Sequence, residues 1–437
     1  MKKIFLLLFF YLNILSAQVS EYSLENGLKL IVNEDHRSQV VVSQVWYKAG
    51  SIDEVNGKTG VAHVLEHMMF KGTQTIKPGE FSEIIARVGG RENAFTGTDY
   101  TCYFQTLEQS NLELALKLEA DRMQNLNLSK EEFNKEIKVV MEERRWRTDD
   151  KPEGMLNENF NALVFNSHPY GRPIVGWMSD LESMNYQDAR DWYQDWYAPN
   201  NATVVISGDI DPKQAYKLVE KYFANIPKKI LKERKPQIEA QQLGKRMIEV
   251  SAPSELVRLQ MGYVVPTLNK LKPSNDRDAF ALDVLANVLS GGPSSRLYKS
   301  LVKSGATVSA LASYPLLSRG DKGTFEFLVA FKADQQKDEV QKIIQAEIQN
   351  ILKNGVSNKE LERVKAGAIA ANVYEKDSMF YQGMIIGQLE SMGYSYTIKD
   401  DYINQIKNVT SKDIQAVINK FFNDNNLNIA ILNPKKV

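Results

Sequence analysis

Of the four histidines in this chain, two stand in the run Gly60-Val-Ala-His-Val-Leu-Glu-His-Met-Met-Phe-Lys-Gly-Thr73, at His63 and His67, with Glu66 between them. Positions four apart on a helix lie one above the other, so both imidazoles face the same way at a separation suited to one tetrahedral zinc ion. Glu66 reaches the same side. The order is the mirror image of His-Glu-x-x-His, and the parts required are the same: two neutral nitrogens for the metal and a carboxylate beside the water it activates. The chemistry that fits is metal-assisted hydrolysis with Glu66 as general base.

A catalytic zinc takes three protein ligands and keeps a position open. His36 and His168 are available, but a carboxylate on a second helix is the better candidate. Ser129 and Glu132 have the spacing of a capping box that opens a helix carrying Glu136, Glu142 and Glu143. Glu136 and Glu143 are seven apart and share a face, whereas Glu142 is rotated by about 100° from Glu143. One of the pair binds metal and the other orients a ligand; the spacing leaves open which does which.

The elements that must hold these residues recur twice along the chain. Val40 to Tyr47 and Val257 to Val264 read as strands rich in valine and aromatics, followed by helical runs from His63 and from Asp283. Ser357 and Glu360 repeat the box of Ser129 and Glu132 at an offset of 228, which sets Val364 opposite Glu136 and Ala371 opposite Glu143. Further strand-like runs fall at Tyr100 to Thr106, Ala202 to Ser207, Thr324 to Phe331 and Leu427 to Leu432. The fold class expected is α+β: two homologous sandwiches, each an antiparallel-rich sheet covered by helices, and only the first with chemistry. A polar, lysine-rich stretch at 227–244 reads as the linker between an N-terminal domain at 18–226 and a C-terminal domain at 245–437.

At 437 residues the chain is too long for one ordinary core. Its 54 basic and 54 acidic residues leave no net positive field to hold nucleic acid. Lys2 and Lys3, an apolar run from Ile4 to Leu15, then Ser16 and Ala17 have the layout of a secretory signal peptide at 1–17. The run is too short to span a bilayer, and no later segment is long enough. Cys102 is the single cysteine, so no internal disulfide forms. Export to a bacterial periplasm is the expectation. Gly57-Lys58-Thr59 mimics the end of a phosphate-binding loop, but the glycine spacing before it is wrong.

The run at His63, the helix with two acids, and the segment Gly90-Arg-Glu-Asn-Ala-Phe-Thr96 together resemble the pitrilysin/insulinase family of zinc peptidases, in its shorter, processing-peptidase-like form. The resemblance implies one Zn2+ per chain and a third ligand some seventy-odd residues after the second histidine. Glu143, 76 residues after His67, fits, and Glu136 then matches the family's other functional acid. It further implies that Asn93, Ala94 and Phe95 form an edge strand gripping extended substrate by β-augmentation. The implied architecture is a clam-like chamber of four lobes, of which one chain supplies two, and the implied activity is cleavage of unfolded peptides. Relatives carry an arginine and a tyrosine seven apart in the second half; here Val302 stands for the arginine and Val308 or Ser309 for the tyrosine, while Arg296 and Tyr298 are only two apart and read as structural. A heterodimer with a zinc-free subunit supplying that pair is the expectation, with a homodimer as runner-up. The alternative function is a non-catalytic scaffold that keeps the peptidase fold.

Overall fold

The run Val40–Tyr47 alternates Val41, Val45 and Tyr47 with Val42, Gln44 and Trp46, and all six are buried. A strand covered on both faces belongs at the centre of a sheet with layers on either side. The computed structural model describes residues 19–332 and 337–435, so the signal peptide expected at 1–17 lies outside the described residues. The first sheet contains β1 (Val19–Ser23), β2 (Lys29–Glu34), β3 (Val40–Tyr47), β4 (Arg91–Thr96), β5 (Thr101–Glu108) and β6 (Ala202–Gly208). Their order is β1-β2-β6-β3-β5-β4, with β2 and β6 parallel and the other neighbours antiparallel. The helices of this half are α1 (Val61–Met68), α2 (Glu80–Arg87), α3 (Leu112–Asn125), α4 (Lys130–Arg144), α5 (Pro152–Val164), α6 (Met178–Ser183), α7 (Tyr186–Trp196) and α8 (Pro212–Phe223). Side chains of α1, α3, α7 and α8 share one core with Val45, Tyr47, Tyr103 and Val204 on one face of the sheet.

The second half repeats this plan. It contains β7 (Arg246–Pro253), β8 (Leu256–Pro266), β9 (Ser309–Ser313), β10 (Lys322–Lys332) and β11 (Leu427–Lys435), in the order β7-β11-β8-β10-β9. Strand for strand, that is the first sheet without β1, and the single parallel pair, β7 with β11, falls in the equivalent place. Its helices are α9 (Arg277–Ser290), α10 (Lys337–Asn354), α11 (Asn358–Glu375), α12 (Met379–Met392), α13 (Ile398–Asn408) and α14 (Ser411–Phe421). Among the described residues, no helix is long and apolar enough to cross a membrane.

The two halves exchange a helix. Leu156, Phe160 and Val164 of α5 pack on Ala252, Ala430 and Leu432 of the second sheet, while Ile386 of α12 packs on Ile31, Trp46 and Val205 of the first. The exchange is close: Gly387 lies so near the Trp46 ring that a Cβ there would stand 2.1 Å from it. Residues 227–244 hold no helix or strand, yet they are pinned: buried Glu239 accepts the backbone N–H groups of Asn166, Ser167 and His168.

Ser129 and Ser357 each accept the N–H three residues on, as helix caps do. The reciprocal half of the box is missing in both. The Glu132 carboxylate meets Lys135, and that of Glu360 takes a two-pronged grip from Arg296, with Nε at 3.0 Å and Nη2 at 2.8 Å. A charged partner outcompetes a backbone N–H for a carboxylate.

Candidate metal centre

The helix bearing His63 and His67 starts at Gly60, whose φ of +87° suits glycine and whose missing side chain lets Val175 O approach to 2.5 Å of where a Cβ would sit. The first turn of α1 leaves N–H groups without helical partners. Glu54, itself buried, accepts two of them, from Gly60 at 2.8 Å and Ala62 at 2.9 Å. Burial pushes the Glu54 carboxyl up to about 8 against the opposing pull of those two N–H groups. On the other flank α4, capped by Ser129, buries Phe133, Glu136, Val140 and Arg144 and turns Glu143 toward α1.

Three donor groups converge. Glu143 Oε2 stands 3.2 Å from His67 Nε2 and 3.7 Å from His63 Nε2, and the donor atoms of the trio all lie within 4.8 Å of one another. Tetrahedral ligands about 2.0–2.2 Å from a zinc ion stand about 3.3–3.6 Å apart, so both distances to Glu143 suit one ion and the widest separation in the trio closes by about 1 Å to hold it. The electrostatics point the same way. Burial disfavours a proton on His67, but Glu136 and Glu143 overcome it and lift the imidazole to about 9. Burial and the neighbouring His67 push His63 down to about 4. The acids therefore call for one positive charge at this spot, and a divalent cation shared by all three donors meets that call without protonating either ring.

The supporting groups are equally ordered. Glu136 Oε2 lies 3.2 Å from His67 Nδ1, the nitrogen facing away from Glu143, and its Oε1 lies 2.7 Å from Lys71 Nζ. Burial alone would raise the Glu136 carboxyl; His67 and Lys71 hold it below the usual range. Glu66 is raised by burial, and Thr96 Oγ1 donates to its Oε2 at 2.5 Å. Thr96 ends β4, which among the described residues pairs with β5 alone and leaves its other edge free beside the cleft. That cleft, about 660 Å³, is lined by His63, Glu66, His67 and residues 93–96 among others.

Asn93, Ala94 and Phe95 thus lie on the strand edge at the site, with Asn93 exposed. His36 pairs with Glu34 and Asp209 elsewhere, and His168 accepts the Tyr170 N–H, so neither joins the cluster. Glu142 points outward to Arg145. In the second half Val364 is buried and Ala371 exposed, so no acid faces the equivalent place. Four contributors escaped the sequence reading: Lys71, Thr96, Glu54 and Arg147, whose Nη2 pairs with Glu143 Oε1 at 2.8 Å. Two had a signal, since Lys71 follows His67 by four and Arg147 follows Glu143 by four, one helical turn in each case.

Residues 29–177 match the family described as Insulinase (Peptidase family M16), and residues 183–368 match the Peptidase M16 inactive domain. The chain is 32% identical over 428 residues to zinc protease PqqE of Helicobacter pylori, covering 94% of this chain and 92% of that protein. It is 26% identical over 421 residues to an uncharacterized zinc protease, YmxG, of Bacillus subtilis, covering 95% of this chain and 98% of that one. Among solved structures, a protease from Helicobacter pylori superposes with a TM-score of 0.89 at 31% identity, over 96% of this chain and all of the other, 100%. With the His63, His67 and Glu143 cluster in place, the chain belongs to the insulinase family, peptidase family M16, and is a zinc protease.

Proposed function

We propose that the chain is an exported zinc endopeptidase that hydrolyses unfolded peptides, with Glu66 as general base. The observation that carries this reading is the placement of Glu66 between the three-donor cluster and the free edge of β4, tied to that edge through Thr96. A peptide adds to the edge as an extended strand and is held mainly by its backbone, which favours breadth of sequence. His63, His67 and Glu143 would hold zinc, which would supply a Lewis acid to polarise the scissile carbonyl and acidify water. Glu66 accepts the proton of the attacking water and passes it to the leaving amine. Thr96 occupies one of its oxygens and leaves the other for that proton. Glu136 fixes the ring of His67 so that Nε2 faces the metal position.

Export rests on the signal-like run before residue 18, and the periplasm is the compartment proposed. Val302 and Val308 cannot donate as an arginine and a tyrosine would, which supports a heterodimer with a related, zinc-free subunit over a homodimer. A scaffold subunit has no need of a donor set; here all three donors are present.

The test is hydrolysis of a quenched library of unstructured peptides by the mature chain alone, with Glu66→Gln as the blank. Cleavage lost in the blank supports the peptidase reading and removes the need for a partner. Comparable cleavage by Glu66→Gln would overturn the role of Glu66. Silence from the zinc-loaded chain, relieved by no added subunit, would overturn the proposal.

A further inference from the structure

Every residue lining the cleft comes from the first half, between His63 and Val175. Whatever this chain offers a substrate beside the scissile bond must therefore be found there. The cleft holds two guanidinium groups, Arg147 and Arg172. Arg172 is committed: its Nη1 donates to Glu54 O at 2.6 Å, against the wall of the cleft. Glu158 is neutralised by Arg144, at 2.8 and 3.0 Å. That leaves Glu66 and Glu143 as the cleft's acids and Arg147 as its accessible cation.

The geometry of Arg147 is built by the chain around it. After α4 the backbone takes a wider π turn over Arg145–Asp149. The three arginines of the run Arg144-Arg145-Trp146-Arg147 go separate ways. Arg144 is buried against Glu158 and Gly176 O, and Arg145 reaches back to Glu142 outside the cleft. Arg147 alone of the three turns into the cleft, its side chain 61% exposed, with Nη2 at 2.8 Å from Glu143 Oε1. Among the described residues, Nε and Nη1 have no partner. A guanidinium has five N–H groups in a planar fork matched to a carboxylate. One edge here rests on the Glu143 oxygen remote from the histidines, and the other is open to the cleft.

We infer that Arg147 is a substrate-binding residue that recognises an aspartate or glutamate side chain within two residues of the scissile bond, giving the enzyme a preference for acidic cleavage sites. The inference rests on the peptidase reading above. Glu143 bridges the two, its Oε1 on Arg147 and its Oε2 facing the histidines, so a peptide laid along β4 with its carbonyl at the metal position brings its flanking side chains within reach of the free guanidinium edge. Backbone pairing to β4 carries no sequence information, and the charge of Arg147 supplies some.

The test uses zinc-loaded protein carrying Glu66→Gln, and measures binding of fluorescent, C-terminally amidated peptides that differ only in Asp against Asn, or Glu against Gln, at each central position in turn. The acidic member should bind about tenfold more tightly, as a charge-assisted pair would give. Adding Arg147→Gln should bring the ratio to within about twofold with zinc content unchanged; Arg147→Lys should keep part of the preference. Equal binding of the two peptides to the parent, or a ratio unmoved by Arg147→Gln, would overturn the inference. So would loss of zinc together with the preference, which would make Arg147 a support for Glu143 only. Because the readout is binding, the two readings separate: wild-type protein that discriminates these peptides but cleaves none would refute the peptidase and leave the role of Arg147 standing.

Discussion

Glu136 stands 3.2 Å from the Nδ1 of His67, on the opposite side of the ring from the nitrogen that faces Glu143. A neutral imidazole carries one proton, and a carboxylate at Nδ1 fixes that proton there, leaving Nε2 free to donate its lone pair. Replacing Glu136 by Gln removes the charge and keeps the size. Zinc affinity, measured by competition with a chelator, should fall by about 10- to 100-fold. Lys71→Met should fall in the same direction by less, because it acts only through Glu136 at 2.7 Å. Affinity unchanged in both variants would mean that the orientation of His67 is set by packing.

The buried Glu54 caps the first turn of α1, and its carboxyl is raised from 4.5 to about 8. Between those values the folded state holds a proton that the unfolded chain has released, so this group's contribution to stability falls as pH rises through that window. Glu54→Gln cannot titrate. It loses one backbone hydrogen bond at every pH, but its midpoint should fall less steeply than the wild type's from pH 5 to pH 9 in thermal melts. Parallel pH profiles for the two proteins would show that the carboxylate pays no ionisation penalty in the fold.

The helix exchange makes a prediction about packing. A methyl group at Gly387 would stand 2.1 Å from the rigid indole of Trp46, and one at Gly262 would stand 2.9 Å from Phe160 of α5 and 2.4 Å from Thr324 Cγ2. Gly387→Ala and Gly262→Ala should each destabilise the protein by about 1–3 kcal/mol, the range of overpacking. Limited proteolysis checks where: Gly387→Ala should expose α12 first and Gly262→Ala α5. Destabilisation with no change in the cleavage pattern would mean that the helices stay docked.

Arg296 and Tyr298 lie close in sequence to the Val302 position, but the guanidinium of Arg296 is spent on Glu360 and on Gly355 O. Arg296→Ala should cost about 1.5–3 kcal/mol in stability, as hydrogen bonds to charged groups do, and leave kcat/KM for peptides unchanged at temperatures where the variant is folded. A drop in kcat/KM without a drop in melting temperature would reassign Arg296 to the substrate.

What was legible in the sequence was what repeats at a fixed period. Val40–Tyr47 is β3 as read, and the His63 run is α1, because valine alternation and an i, i+4 pair are local signals. The 228-residue offset anticipated the matching sheets, and it even relates α5 to α12, which begin 227 residues apart at Pro152 and Met379. Their exchange was not legible, since nothing in an amphipathic pattern says which of two related sheets a helix will cover. The roles of Lys71 and Thr96 depend on which carboxylate oxygen is left over once a histidine or the cleft has taken the other, which is a property of three-dimensional placement. The i, i+4 spacing offered Arg147 as a partner for Glu143, but its turn into the cleft was not legible, because the π turn that aims it leaves no periodic signal.

The exchange and the metal cluster together make a last prediction. The candidate zinc ligands His63, His67 and Glu143 all lie in the first half, where a bound ion would join α1 to α4. At a free concentration a thousandfold above its Kd, a ligand adds about 4 kcal/mol to the state it binds. For a folding unit of about 200 residues that is worth roughly 10 °C. If α5 and α12 lock the halves into one cooperative unit, the wild type should melt in one transition that zinc moves as a whole, by less than that amount because the enthalpy is shared over a larger unit. Gly387→Ala, which pushes α12 off Trp46, should split the melt in two, and zinc should then move only one of the two transitions, by close to the full amount. His67→Ala should remove the zinc response in both backgrounds. Calorimetry with and without zinc decides it: a wild-type melt already in two parts, only one of them zinc-sensitive, would show that the exchanged helices dock without coupling the halves.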